Sequence, residues 1–289
     1  MIVVTAVTSA PRLPRRSVAA MIMGAMVRGR RTLPTMERST DAVELLDGPL
    51  DDPAALAANL RDLRRINRWL GGVTLSAAAI DALAAHREDL TLLDVGTGGG
   101  DIPIALLELA RARGRRISVV AIDSRPEILA AAIRERPLVA STDGLELHVG
   151  DGRSLPYPDR SFDVTHASLV LHHCAPGEAA ALLREMARVA RLGVVVNDLD
   201  RGWLGWIGAW LLGHLLTGNR YTRHDAPLSV RRAYRAPEMA EMLRAAGMTP
   251  VRTIHGALGR RYAIAAVPTP DLADLDDAAH PHSPSGADE

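Results

Sequence analysis

Leu92-Leu93-Asp94-Val95-Gly96-Thr97-Gly98-Gly99-Gly100-Asp101 decides how this chain folds, because a short apolar run ends in a carboxylate and is followed by glycine at every second position. A backbone needs so many residues without a Cβ only where it bends sharply and presses against a ligand. Downstream, Ile102, Ala105, Leu106 and Leu109 recur at helical spacing, so the glycines lie between a buried strand and a helix N-terminus. The stretch therefore reads as a cradle for a nucleotide-type cofactor.

Spacing selects among such cofactors. A nicotinamide-binding loop carries its third glycine where this chain has Asp101, so the dinucleotide fit is poor. The pattern Asp94-x-Gly96-x-Gly98-x-Gly100 instead resembles the first motif of the class I S-adenosylmethionine-dependent methyltransferases, whose loop lies under the methionine part and ribose of the cofactor. A second β-branched run, Ile117–Ile122, ends at Asp123, where a strand-end carboxylate can accept both ribose hydroxyls. Ser124, ahead of Arg125-Pro126, reads as the N-cap of the next helix. Gly150-Asp151-Gly-Arg-Ser-Leu-Pro-Tyr-Pro-Asp-Arg-Ser-Phe-Asp-Val164 resembles the D-x-x-x-L-P-F-P-D-x-S-F-D-V segment of the type 11, ubiquinone/menaquinone methyltransferase-like branch. That resemblance implies that Asp151 accepts the adenine amino group and that Gly152 lets the backbone approach the ring. The expected cofactor set is Asp94, Gly96, Thr97, Gly98 and Gly100 in the loop, Asp123 and Ser124, Asp151 and Gly152, and Ser168 at the fourth strand end.

The resemblance spans about residues 90 to 199 motif by motif. It departs at Arg188-Val-Ala-Arg-Leu-Gly193, where the family has R-V-L-K-P-G-G, so a turn through Gly193 is expected there. Strand and helix patterns alternate from residue 91 onward, which predicts a mainly parallel sheet covered on both faces. The resemblance implies an α/β, Rossmann-like, seven-stranded sheet of order 3-2-1-4-5-7-6 with the last strand antiparallel. Before it, Asp52-Pro53 reads as an N-cap with Pro at the first helical position. Leu56, Leu60, Leu63, Ile66 and Leu70 then form a stripe that stops at Gly71-Gly72. Asn67, Arg68 and Trp69 on that accessory helix either reach the site or simply cover the sheet.

At 289 residues with 47% hydrophobic content, the chain can bury one full α/β core. A single cysteine, Cys174, excludes an intramolecular disulfide framework and suits a reducing cytoplasm. Zinc-type Cys/His spacing is absent, so no metal is expected. Residues 1–36 carry six arginines and no carboxylate, and residues 268–289 six carboxylates and no arginine. Both ends read as solvated extensions flanking a methyltransferase domain over 37–267, with accessory helices over 37–89 and an insertion over 200–236. Ser17–Val27 is apolar between arginines but is followed by Arg28, Arg30 and Arg31 without a small-residue cleavage site. Export is therefore not expected, and a translation start at Met36 explains the segment as well. Aromatics total 3% and form no basic-aromatic stripe, which argues against nucleic acid as a partner.

The chemistry should sit beyond the C-terminal strand ends. Ser168-Leu-Val-Leu-His172-His173 closes the fourth strand, and a histidine there can take a proton from a phenol or enol at neutral pH. His224, beside Asp225, is the alternative base. After strand five, Trp203, Trp206 and Trp210 lie in an apolar segment of about 13 residues, short of the roughly 20 needed to span a bilayer. It reads as a lid over a lipophilic phenol, quinone or polyketide, with Trp203, Trp206, Trp210, His224 and Arg231 as substrate residues. A subunit interface giving a homodimer and a peripheral membrane contact both stay open for it. The resulting expectation is O- or C-methylation of a small molecule. A nicotinamide-dependent oxidoreductase and a non-catalytic S-adenosylmethionine-binding subunit are the alternatives.

Overall fold

The computed structural model describes residues 35–256 and 259–270. The extensions expected over 1–36 and 268–289 therefore lie almost wholly outside the described residues. The chain divides at Met36, and everything below concerns the unit that begins there.

Strand β1 (Asp89–Val95) forms because Leu90, Leu92, Leu93 and Val95 are buried on both faces of the sheet. It pairs in parallel with β2 (Arg116–Asp123) on one side and β4 (Phe162–Ser168) on the other. Strand β3 (Leu145–Val149) adds beside β2, and β5 (Ala190–Leu199) beside β4. Strands β6 (Met248–His255) and β7 (Arg261–Pro268) complete the sheet, with β7 inserted antiparallel between β5 and β6. The order is β3-β2-β1-β4-β5-β7-β6, as expected from the resemblance.

Helices cover both faces. On one, α1 (Pro53–Trp69) leads into α2 (Gly72–Ala84), and α2 packs with α3 (Asp101–Ala112) around Ile80, Leu92, Ile104 and Leu107. On the other, α6 (Pro176–Val189) and α9 (Ala236–Ala245) pack around Leu183, Met186, Met239 and Leu243. Helices α4 (Pro126–Glu135) and α5 (Leu138–Ser141) connect β2 to β3, and α1 rests on α4 through Leu56, Leu60, Ala131 and Ala132. Truncating a core leucine such as Leu92 to Ala should cost about 2 to 5 kcal/mol. The insertion is a helical hairpin, α7 (Trp203–Leu215) and α8 (Arg220–Arg232). No helix among the described residues is long and apolar enough to cross a membrane.

Two local expectations change. Gly193 makes no turn, because helix α6 ends at Val189 and β5 begins directly at Ala190. Its glycine has a packing cause: a Cβ there would lie 2.3 Å from the Ala266 carbonyl oxygen and 2.9 Å from Leu83. Ser124 does not cap α4, since Arg125 stands at the N-cap position and Asp123 Oδ1 accepts from the Arg125 amide at 2.9 Å. The Asp52 cap does form, with Oδ1 accepting from the Ala55 amide at 2.9 Å. Sequence reading did not delimit α2, whose Ala/Ser-rich face is buried against the sheet.

Candidate active site

Two adjoining cavities open over the C-terminal ends of the parallel strands. The first, about 430 Å³, is lined by Gly96, Thr97, Gly98, Asp123, Ser124, Asp151, Gly152 and Ser168, all named from the sequence. Gly98 has φ +55° and a Cβ placed on it would meet no protein atom within 4 Å, so the loop bends away from the protein and leaves room above it. Asp123 is buried, and its Oδ2 accepts from the Gly98 amide at 2.9 Å while Oδ1 holds Arg125. Burial raises its carboxyl above the ordinary range, and the two amide hydrogen bonds oppose that shift. Lone pairs remain on both oxygens for a further donor. Thr97 Oγ1 is buried without a hydrogen-bond partner.

Asp94 and Gly100, by contrast, do not line this cavity. Asp94 points behind the loop, where its Oδ1 meets His166 Nδ1 at 2.6 Å, and a Cβ on Gly100 would lie 3.0 Å from Val139. Asp151 lines the cavity but is already held by Arg153 through its backbone amide and guanidinium at 2.9 to 3.2 Å. That hydrogen bonding to Arg153 lowers its carboxyl below the usual range.

The second cavity, about 290 Å³, is mostly apolar with a polar end, and shares Leu46, Asn59, Leu63, Leu169 and His173 with the first. Helix α1 supplies Leu63, Ile66, Trp69 and Leu70, and α7 supplies Gly205, Gly208, Ala209 and Leu212. Asn67 of α1 faces the first cavity and Trp69 the second, whereas Arg68 is exposed. The tryptophans predicted to contact a substrate are absent from the lining. Trp203 and Trp206 pack edge to face with centroids 6.2 Å apart, and Trp210 stacks on His214 at 4.4 Å. The cause is close packing of the hairpin: a Cβ on Gly213 would lie 3.1 Å from the Thr222 carbonyl oxygen, and one on Gly205 would touch Val230. Small residues must face inward, which turns the tryptophans away from the cavity. Arg231 is exposed and also outside the lining. His224 does touch its neighbour, Nδ1 to Asp225 Oδ1 at 2.7 Å, but stays half-exposed and outside both cavities. Asp225 is instead a buried bracket that accepts from the Leu45 and Leu46 amides.

The polar end of the second cavity is built around the two predicted histidines. His172 is buried and its Nδ1 lies 2.7 Å from Asp198 Oδ1. With Nδ1 engaged by that carboxylate, Nε2 is the ring nitrogen left for a further partner. Burial would raise the Asp198 carboxyl, but its close interaction and hydrogen bond with His172 hold it below the usual range. His173 stacks on His172 with centroids 4.2 Å apart and bonds through Nδ1 to Asp47 Oδ1 at 2.9 Å. Burial alone would lower its pKa, but Glu44 and Asp47 outweigh that and raise it to about 9. His173 is thus cationic at neutral pH. Glu44 is buried with Oε1 lacking a hydrogen-bond partner, and so is Asn59 Oδ1. Donor atoms of Glu44, His172 and His173 lie within 4.8 Å of one another, a spacing a metal ion can bridge. The Arg232 guanidinium already places a cation 3.7 Å from Glu44 Oε1.

A buried polar chain joins the cavities, and it was not legible in the sequence. Arg261 donates through Nε to Asn197 Oδ1 at 2.6 Å, through Nη1 to Asn67 Oδ1 at 2.8 Å and through Nη2 to Ser168 Oγ at 2.8 Å. Asn67 donates onward to Asp101 Oδ2 at 3.0 Å, and Asn197 to Ser76 Oγ, which meets His166 Nε2 at 2.7 Å. Burial lowers the Arg261 pKa to about 10. Helix α1 is thereby fastened to the glycine loop and to β7 at once.

Comparison with known proteins agrees with this architecture. A family model described as "Methyltransferase domain" matches residues 92–193. Demethylmenaquinone methyltransferase of Deinococcus radiodurans is 32% identical over 63% of this chain and 75% of its own length. Malonyl-[acyl-carrier protein] O-methyltransferase of Serratia marcescens is 30% identical over 63% of this chain and 73% of its own. Among solved structures, a SAM-dependent methyltransferase from Aquifex aeolicus matches with TM-score 0.54 and 19% identity over 75% of this chain and 99% of that one.

Proposed function

The chain belongs to the class I S-adenosylmethionine-dependent methyltransferases, type 11-like, and from that premise we propose that its acceptor is a lipophilic molecule bearing a phenolic or enolic hydroxyl. The residues around the first cavity fit the cofactor on three counts: the open Gly98 cradle, the partnerless Thr97 Oγ1, and the spare lone pairs of the buried Asp123. In this reading Asp123 holds the ribose, Gly96, Thr97 and Gly98 lie under the methionine part, and Ser124, Asp151, Gly152 and Ser168 flank the adenosyl group. When bound, S-adenosylmethionine supplies a sulfonium-borne methyl group to a nucleophile aligned with the carbon–sulfur bond, so alignment provides much of the acceleration.

The observation that carries the acceptor class is the character of the second cavity. Its walls are mostly apolar, and at its polar end Glu44 Oε1 and Asn59 Oδ1 are buried acceptors without a hydrogen-bond partner. An unsatisfied buried acceptor costs about 1 to 3 kcal/mol, which a ligand hydroxyl would recover. His172 takes the hydroxyl proton at Nε2, while Asp198 fixes the ring tautomer and stabilises the imidazolium. His173, cationic and bound to Asp47, orients rather than deprotonates. The quinone named for the Deinococcus relative bears such hydroxyls once reduced to the quinol, and the methyl group would go to oxygen or to an adjacent ring carbon. A cytoplasmic location suits the free thiol of Cys174.

The test is incubation with methyl-labelled cofactor and a panel of alkylphenols, quinols, polyketide enols and fatty acids, read by mass spectrometry. Labelled products confined to the hydroxylated aromatic or enolic members are expected. Methylation of the fatty acids alone would reject this acceptor class.

A further inference from the structure

Helix α7 presents two adjoining stripes with unlike surroundings. Gly205, Gly208, Ala209 and Leu212 line the second cavity, whereas Leu204, Leu211 and Leu215, at i, i+7 and i+11, form a neighbouring stripe that faces solvent. Leu215 and the following Leu216 are 71% and 72% exposed. The helix holds no charged residue in its 13 positions. A surface helix ordinarily sets charged side chains opposite its buried stripe, and one that is apolar all round belongs against something apolar. Across the cavity mouth, the end of α1 adds Trp69 and Leu70, exposed at 74% and 53% although both also line the cavity. The exposed apolar surface thus borders the second cavity, and Trp69 and Leu70 belong to both. Arg65 and Arg68, both exposed, stand in the last turns of α1 beside Trp69.

We propose that this rim docks on the surface of a phospholipid bilayer carrying anionic headgroups, so that the acceptor passes from the acyl phase into the cavity without crossing water. The occupant follows from three features together: a leucine and tryptophan surface, flanking arginines of the sign that anionic headgroups attract, and a border shared with the mostly apolar second cavity. The α7 segment is too short to span, so it lies in the interface plane. The inference rests on the reading that the acceptor is lipophilic, but its test needs no acceptor.

The full chain is sedimented with vesicles of phosphatidylcholine alone and of phosphatidylcholine containing about a quarter phosphatidylglycerol. It should bind the anionic vesicles more strongly. The double substitution Leu215→Asp/Leu216→Asp, at residues outside both cavities, should weaken that binding about tenfold or more. The same variant should methylate a short, water-soluble phenol at the parent rate. Arg65→Ala/Arg68→Ala should remove most of the preference for phosphatidylglycerol. The proposal is overturned if the parent chain stays in the supernatant with both vesicles, or if the leucine variant sediments like the parent. It is equally overturned if that variant turns a dimer into a monomer on a sizing column without changing vesicle binding, which would make the rim a contact between two copies. Since the vesicles carry no phenol, failure to bind them is separate from failure to methylate one.

Discussion

The two cavities lie side by side, yet most of the lining of one was named from the sequence, whereas of the other chiefly its histidine pair was. Consecutive strand ends build the cofactor cavity. Gly96 to Gly98 follow β1, Asp123 ends β2, Asp151 follows β3 and Ser168 ends β4, so successive strand ends along the chain supply the lining of one cavity. The second cavity is assembled from the inner faces of α1, α7 and α8, the turn Leu45–Asp47, Leu169, His172 and His173 after β4, the end of β5 and the start of β7. No local pattern announces such a union. The difference teaches that motif reading recovers sites whose geometry is imposed by the sheet and loses those imposed by helix packing.

The largest expected effect concerns the polar end of the acceptor cavity. His172→Ala should lower kcat about 10² to 10⁴-fold while S-adenosylhomocysteine affinity by calorimetry stays near the parent value. Asp198→Asn should act in the same direction by freeing the ring. A parent-like kcat for His172→Ala would remove the base from the account and leave alignment alone. Next in size, Asp123→Ala should weaken S-adenosylhomocysteine binding by about 1.5 to 3 kcal/mol, since it loses charge-assisted bonds to the ribose together with the brace on the Gly98 amide. An unchanged dissociation constant would show the ribose to be held elsewhere.

The His173 pair makes a smaller, pH-dependent contribution. Its pKa in the fold is raised to about 9 from the ordinary 6.5. The stability it adds is therefore fully present below about pH 6.5 and lost as pH rises through about 9. His173→Gln should cost on the order of 1 to 2 kcal/mol in urea melts at pH 6, discounted for the partly exposed ring, and little at pH 10. Equal losses at both values would mean that the ring is neutral in the folded chain. The smallest effect distinguishes the two faces of α7. Trp206→Ala should change the Michaelis constant for a long-chain phenol less than about threefold, because the indole lies outside the acceptor cavity. A rise of tenfold or more would restore the tryptophans as substrate contacts.

Particular residues show where legibility ended. The glycine loop, Asp123 and the position of His172 followed from strand-then-turn patterns, and the strand order followed from the family resemblance. Asp94 was assigned to the cofactor because it opens the motif, but a buried carboxylate needs a partner and found it in His166 behind the loop. Arg261 and Asn197 carried no local signal, since each acts through partners more than 60 positions away. The tryptophans misled because large apolar side chains suggest a binding wall, whereas two packed helices put their smallest residues inward. The glycines at 205, 208 and 213 were the available clue, because each stands where a Cβ would press on a neighbouring segment.

The central claim is that the inner stripe of α7 bounds an acceptor site separate from the cofactor site. Ala209→Trp fills the second cavity without touching the first, so the decisive measurement pairs methyl transfer to a long-chain phenol with calorimetric titration of S-adenosylhomocysteine on the same variant. The account predicts at least a tenfold loss of kcat/KM for the phenol with cofactor affinity within about twofold of the parent. Retained transfer to the long-chain phenol, or a parallel loss of cofactor binding, would contradict it.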